Sequence, residues 1–129
     1  MAEAPKVTKN EKQSVKGCRI KTGTLIRYQK EYVSYQKEVA GLELKIKNEK
    51  ESGEEFDEKR WTEVLEDTTQ MLPNVKGKME QATEDLEMYL EEYETDADLL
   101  DPENEELLGK AKNAVVNIRA FLESLDNTA

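Results

Sequence analysis

Three runs of apolar and aromatic residues in 3-4 spacing divide this sequence. The first is Leu25, Tyr28, Tyr32, Tyr35, Val39, Leu42 and Ile46. The second is Trp61, Leu65, Thr68, Leu72, Val75, Met79, Ala82, Leu86, Tyr89 and Tyr93, and the third is Leu108, Ala111, Val115, Ile118, Leu122 and Leu125. Steps of three and four average 3.5 residues, which keeps one face of an α-helix turned toward a partner helix for many turns. Three such seams, separated by two short breaks, predict three long helices that bury their seams on one another. Short connections make sequential helices antiparallel. The expected fold is all-α, an elongated antiparallel three-helix bundle with coiled-coil-like packing.

Composition agrees with a slender bundle. Apolar residues make up 36% of the chain and charged residues 37%, enough for a narrow core under a large wet surface. At 129 residues the chain is expected to form one domain, with a flexible arm over residues 1–13 and the bundle over 14–126. Helix 1 is expected at about 14–51 and ends at Ser52-Gly53, where glycine accepts the left-handed backbone that closes a helix. Helix 2 is expected at about 58–94. Asp57 is its N-cap, since a carboxylate there accepts from free backbone N–H groups, and Phe56 and Trp61 occupy the positions of a hydrophobic staple. Pro73 lies inside helix 2 and predicts a kink. The seam keeps its phase through Leu72 and Val75, so one bent helix is expected, not two. Helix 3 is expected at about 102–125, with Asp101 as its cap and Pro102 at its first position, where a missing N–H costs nothing.

Charge is unevenly distributed. The net charge is −10. Residues 1–50 are net basic, whereas residues 79–109 hold 13 Asp/Glu and no Lys or Arg. A long acidic stretch repels phosphate, which argues against nucleic acid and anionic membrane as partners. No apolar run approaches the ~20 residues that span a bilayer, and the first residues lack a secretory signal's apolar stretch. One cysteine, Cys18, cannot form an internal disulfide. A cytoplasmic home is expected.

The residues that build most active sites are missing. There is no histidine, which removes His-activated nucleophiles and histidine metal sites. Gly77-Lys78 and Gly109-Lys110 lack the upstream glycine of a phosphate-binding loop. Asp96-x-Asp98 is followed by Leu100 where a calcium loop needs its next ligand. No enzyme activity, metal or cofactor is expected. Tyr28, Tyr32, Tyr35 and Trp61 fall at core spacing and read as packing. Cys18 reads as an inert thiol at the core edge.

Function is therefore sought on the helix surfaces. Opposite the second seam, Glu80, Glu84, Glu87, Glu91 and Glu94 form an outward row. Like charges at i,i+3 and i,i+4 repel by roughly 0.2–0.5 kcal/mol each, and they sit toward the helix C-terminus, where the dipole disfavours anions. A solubilising face would explain the row, and so would a partner with a basic surface. On helix 1, Ile26, Val33, Ala40 and Leu44 fall on the outer side, with Lys30 and Lys37 among them. This apolar line suggests a contact surface.

One stretch of the sequence resembles a known family. Arg19-Ile20-Lys21-Thr22-Gly23, Arg27, Lys30-Glu31, Tyr35 and Lys37-Glu38 are similar to the opening of tubulin-binding cofactor A. Phe56-Asp57, Val64-Leu65-Glu66 and Met71-Leu72-Pro73-Asn74 are similar to its middle. The chain departs from the family pattern at Ile26, Asn74 and Gly77 and has a longer N-terminal arm. The resemblance covers about residues 18–90, with the third helix matched by pattern. It implies a three-helix bundle that acts as a chaperone in tubulin biogenesis. Such a protein captures folding β-tubulin after chaperonin release and holds it until other tubulin-folding cofactors assemble the αβ heterodimer. It also implies a cytoplasmic place with the microtubule cytoskeleton. The outward residues of helices 1 and 2 would carry the contact. A structural coiled-coil scaffold that self-associates without a client is the alternative. Three mutually satisfying seams in one chain favour a monomer.

Overall fold

The structure, a computed structural model, describes residues 11–127. Residues 1–10 of the expected arm lie outside the described residues. Three α-helices follow in order: α1 over Gln13–Ser52, α2 over Glu58–Glu92 and α3 over Glu105–Asp126. A 3-10 turn, Pro102–Asn104, leads into α3. No strand occurs among the described residues, and the all-α, three-helix expectation is borne out.

Local chemistry accounts for the helix ends. Gly53 closes α1 with φ of 71°, and it is the glycine whose backbone lies in the left-handed region, where a side chain would be strained. Asp57 caps α2: its Oδ1 accepts from the Arg60 N–H at 3.1 Å. Phe56 and Trp61 are both half-buried. The Trp61 ring lies under the Lys45 ammonium, 4.6 Å from the ring centroid, with the Arg60 guanidinium at 5.8 Å. α2 continues as one helix through Pro73, which is exposed. Just before it, Thr68 and Thr69 donate their hydroxyls to the carbonyls of Val64 and Leu65 at 2.8 and 2.7 Å, a back-bonding that favours helix bending. Asp101 Oδ1 accepts from the Glu103 N–H at 2.9 Å, so the cap serves the 3-10 turn and α3 proper begins three residues later than Pro102.

The chain divides into two compact units. Arg27–Met79 is a helical hairpin made of the later part of α1 and the earlier part of α2. The Lys45–Trp61 contact and the Lys50–Glu58 ion pair at 2.8 Å show that its helices run antiparallel. Tyr32, Val75 and Met79 are its buried apolar residues. The other seam positions, among them Tyr28, Tyr35, Leu42, Leu65 and Leu72, are half-buried, as a two-helix seam requires.

The other unit comprises, among the described residues, 11–26 and 80–127. Its core is denser: Val15, Cys18, Leu25, Leu86, Leu99, Ala111, Ala114, Ile118 and Leu122 are buried. Burying each large aliphatic side chain contributes about 1.5–3 kcal/mol. The first seam thus begins earlier than Leu25. Val15, Cys18 and Thr22 extend it in 3-4 steps, and Cys18 is wholly buried instead of lying at a core edge. Burial raises the Cys18 thiol pKa, with Thr22 and Arg19 acting the other way, so the thiol stays protonated and unreactive.

Candidate functional site

Each expected surface residue can now be located. Glu80, Glu84 and Glu91 are exposed on α2, and Glu87 is half-buried. The row is not left entirely to solvent. Arg119 of α3 donates from Nε to Glu87 Oε2 at 3.2 Å and from Nη2 to Glu87 Oε1. That hydrogen-bonded pair, then the charges of Glu87, Glu84 and Glu80, raise the Arg119 pKa. One guanidinium therefore already samples the field of the row. Glu94 lies past the end of α2. Its N–H reaches back three residues to the Glu91 carbonyl at 3.4 Å, so the helical row ends at Glu91.

On α1, Lys30, Lys37, Ala40 and Leu44 are exposed, with Ile26 and Val33 half-buried. Leu44 is 57% exposed. The structural residues Asp57, Phe56, Trp61, Pro73 and Asp101 occupy the cap, staple and helix-interior positions described above.

Sequence reasoning missed a polar clasp between the start of α1 and the end of α2. Tyr89 donates its hydroxyl to the Ser14 carbonyl at 2.9 Å. Ser14 Oγ donates to Asp96 Oδ2 at 2.5 Å, and the same oxygen accepts the Leu99 N–H at 2.9 Å. The Ser14 hydroxyl foremost, then the Leu99 N–H, hold the Asp96 carboxyl below its ordinary pKa. Burial, then the neighbouring Tyr93, push Tyr89 up. Gly17 makes the clasp possible. A Cβ there would lie 2.6 Å from Tyr89 Cζ and closer still to its hydroxyl. The only hint in the sequence is a glycine one turn into a helix beside a seam tyrosine.

An open cleft of about 330 Å³ is lined by Arg19, Thr22 and Gly23 of α1 and by Glu106, Leu107 and Lys110 of α3, among others. Its cations and carboxylates offset one another. Among the described residues no group of three or more Cys, Asp or Glu is placed to hold a metal ion, and no helix is long and apolar enough to cross a membrane.

Fold and surface together define an all-helical protein whose distinctive chemistry is spread along helix faces, the form of a helical binding protein. The family model described as Tubulin binding cofactor A matches residues 13–115, and the chain belongs to that family. It is 40% identical over 78 residues to tubulin-specific chaperone A of Homo sapiens, covering 60% of this chain and 72% of that one. It is 33% identical over 107 residues to tubulin-specific chaperone A of Saccharomyces cerevisiae, covering 81% and 92%. The crystal structure of tubulin folding cofactor A from Arabidopsis thaliana superposes with a TM-score of 0.69 at 30% identity, covering 83% of this chain and 96% of that one. The family expected from the sequence resemblance is thus the family found.

Proposed function

We propose that this protein is a tubulin-folding chaperone of the cytoplasm that captures β-tubulin released from the chaperonin and holds it for heterodimer assembly by other tubulin-folding cofactors. Membership of the tubulin binding cofactor A family carries this reading. The helix surfaces support it. The acidic row Glu80, Glu84, Glu87 and Glu91, with Glu94 just beyond it, suits a basic client surface. Ile26, Val33 and Leu44, with Lys30 and Lys37, offer a second face on α1. Capture on such faces needs no nucleotide, metal or covalent step, and the chain acts as a monomer.

The test is to mix the protein with β-tubulin and follow the two by size-exclusion chromatography with light scattering. A comigrating complex is expected, and free protein at the monomer mass of 14.8 kDa. Separate elution of the two, with the free protein at twice its mass or more, would instead favour a self-associating scaffold.

A further inference from the structure

We propose that the outer stripe of α1, built on Lys30, Val33, Lys37, Ala40 and Leu44, is the docking site for an acidic amphipathic helix of the client. This rests on the reading that the protein holds a folding client, and it adds where on α1 the client docks and what chemistry it presents.

The five residues follow one another in steps of 3, 4, 3 and 4. They form a second seam on a helix that has already committed Tyr28, Tyr32, Tyr35, Val39, Leu42 and Ile46 to its first. At 100° per residue the two seams lie on opposite sides of α1. The burial pattern agrees: Tyr32 is buried, whereas Lys30, Lys37, Ala40 and Leu44 are exposed. The Arg27–Met79 unit contains only the α1 and α2 segments, so α1 there has one helical neighbour and spends its first seam on it. The second seam has none within that unit.

Charge selects the occupant. No carboxylate falls on the stripe; Glu31, Glu38 and Glu43 lie to either side of it. Lys30 and Lys37 are seven residues apart, the same position of successive heptads, where flanking charges set partner choice between paired helices. Their methylene stems can cover apolar surface while the ammonium groups stay wet. A helix with aliphatic residues in 3-4 spacing would cover Val33, Ala40 and Leu44, and Glu or Asp flanking that face would meet the two lysines. A basic helix would meet like charge. Room exists for close approach: Ala40 is small, and a Cβ at the neighbouring Gly41 would meet nothing within 4 Å.

The full chain can be titrated with two synthetic helical peptides that share a leucine heptad, one flanked by Glu and one by Lys. Amide chemical shifts report where each binds. The Glu peptide should bind and shift residues 30–44, the Lys peptide should bind at least tenfold more weakly, and the K30E/K37E variant should reverse that preference. Both substituted positions are exposed and glutamate is a good helix former, so the variant folds. Equal binding of the two peptides, or shifts elsewhere, overturns the proposal. In parallel, capture of β-tubulin by K30E/K37E should fall about tenfold. If the parent and the variant capture β-tubulin equally, the stripe is not where the client docks, although the chaperone reading stands. Failure of the parent to capture β-tubulin defeats that reading itself and with it the client docking proposed here. A parent dimer that K30E/K37E turns into a monomer makes a second copy the occupant and also overturns the proposal.

Discussion

Two glycines in α1 should respond to the same substitution with opposite sign. In a helix interior, replacing glycine by alanine stabilises by about 1 kcal/mol through backbone entropy. At Gly23 nothing lies within 4 Å of the new Cβ, so Gly23→Ala should realise most of that gain. At Gly17 the new Cβ would press on the Tyr89 ring and hydroxyl. Tyr89 must then turn away. It loses its hydrogen bond to the Ser14 carbonyl, worth about 0.5–1.5 kcal/mol. It also loses its place against the Tyr93 ring, 4.5 Å between centroids, worth about 0.5–1.5 kcal/mol. Mid-range values total about 2 kcal/mol of loss against about 1 kcal/mol of gain. Gly17→Ala should therefore destabilise by about 1 kcal/mol, a fall of roughly 3–5 °C in Tm for a chain of this size, while Gly23→Ala raises Tm by a similar amount.

Far-UV circular dichroism followed through heat and urea unfolding reads both variants. The decisive control is the Tyr89→Ala background. With the ring gone, the close approach and the contacts it would break are absent together. Gly17→Ala should then stabilise, as Gly23→Ala does in the parent. If Gly17→Ala stabilises the parent as much as Gly23→Ala does, the clasp between Tyr89 and the start of α1 contributes nothing and the reasoning fails.

Three further outcomes are expected. Changing Glu84, Glu87 and Glu91 together to Gln should weaken capture of β-tubulin and flatten its salt dependence. Stability should change by less than about 0.5 kcal/mol, because relief of like-charge repulsion offsets loss of the exposed Arg119 pair; undiminished capture at low salt would reduce the row to a solubilising face. Pro73→Ala should keep or raise Tm, since proline costs about 3 kcal/mol in a straight helix interior, and should weaken capture. A large stability loss with normal capture would make Pro73 a packing requirement instead. Asp96→Asn should destabilise at neutral pH. The folded pKa of Asp96 lies below the ordinary value of about 3.9, so ionised Asp96 stabilises fully above that value and loses its effect as pH falls through the folded pKa. Urea midpoints at a series of pH values should show the gap between parent and variant closing in acid, and a gap that stays constant there would refute the role of the clasp.

How far the fold could be read in advance depended on which physical signal each part uses. The three seams are repeated many times over, so helix number, phase and most core positions were legible. Asp57 and Gly53 act through their nearest neighbours in sequence and cap where local chemistry said they would, whereas Asp101 caps the 3-10 turn ahead of α3 and not α3 itself. The early part of the first seam was harder to see because Thr22 interrupts it with a polar side chain and Gly17 and Gly23 weaken the helix signal. Contacts between distant parts of the chain were not legible. Ser14 and Asp96 are 82 residues apart, and Glu87 and Arg119 are 32 apart. A seam says which face of a helix turns inward, but it leaves open which turn of one helix lies beside which turn of another. Register decides that, and here it is visible only in the structure.

That register changes the surroundings of the glutamate row. In the sequence alone the row is five uncompensated carboxylates on one helix. In the structure Arg119 reaches Glu87 from α3, and that pair foremost, with the charges of Glu84 and Glu80 adding, raises its pKa. Both partners are substantially exposed, 49% and 38%, and an exposed ion pair contributes only about 0–1 kcal/mol. On the proposed reading of the row as a client surface, a client cation would take the place of Arg119 at small cost, because the guanidinium it displaces returns to water. The forked geometry at Glu87 also favours a guanidinium over an ammonium. The row's repulsion is thus partly relieved by a weak counter-ion, an arrangement compatible with the basic client surface proposed above.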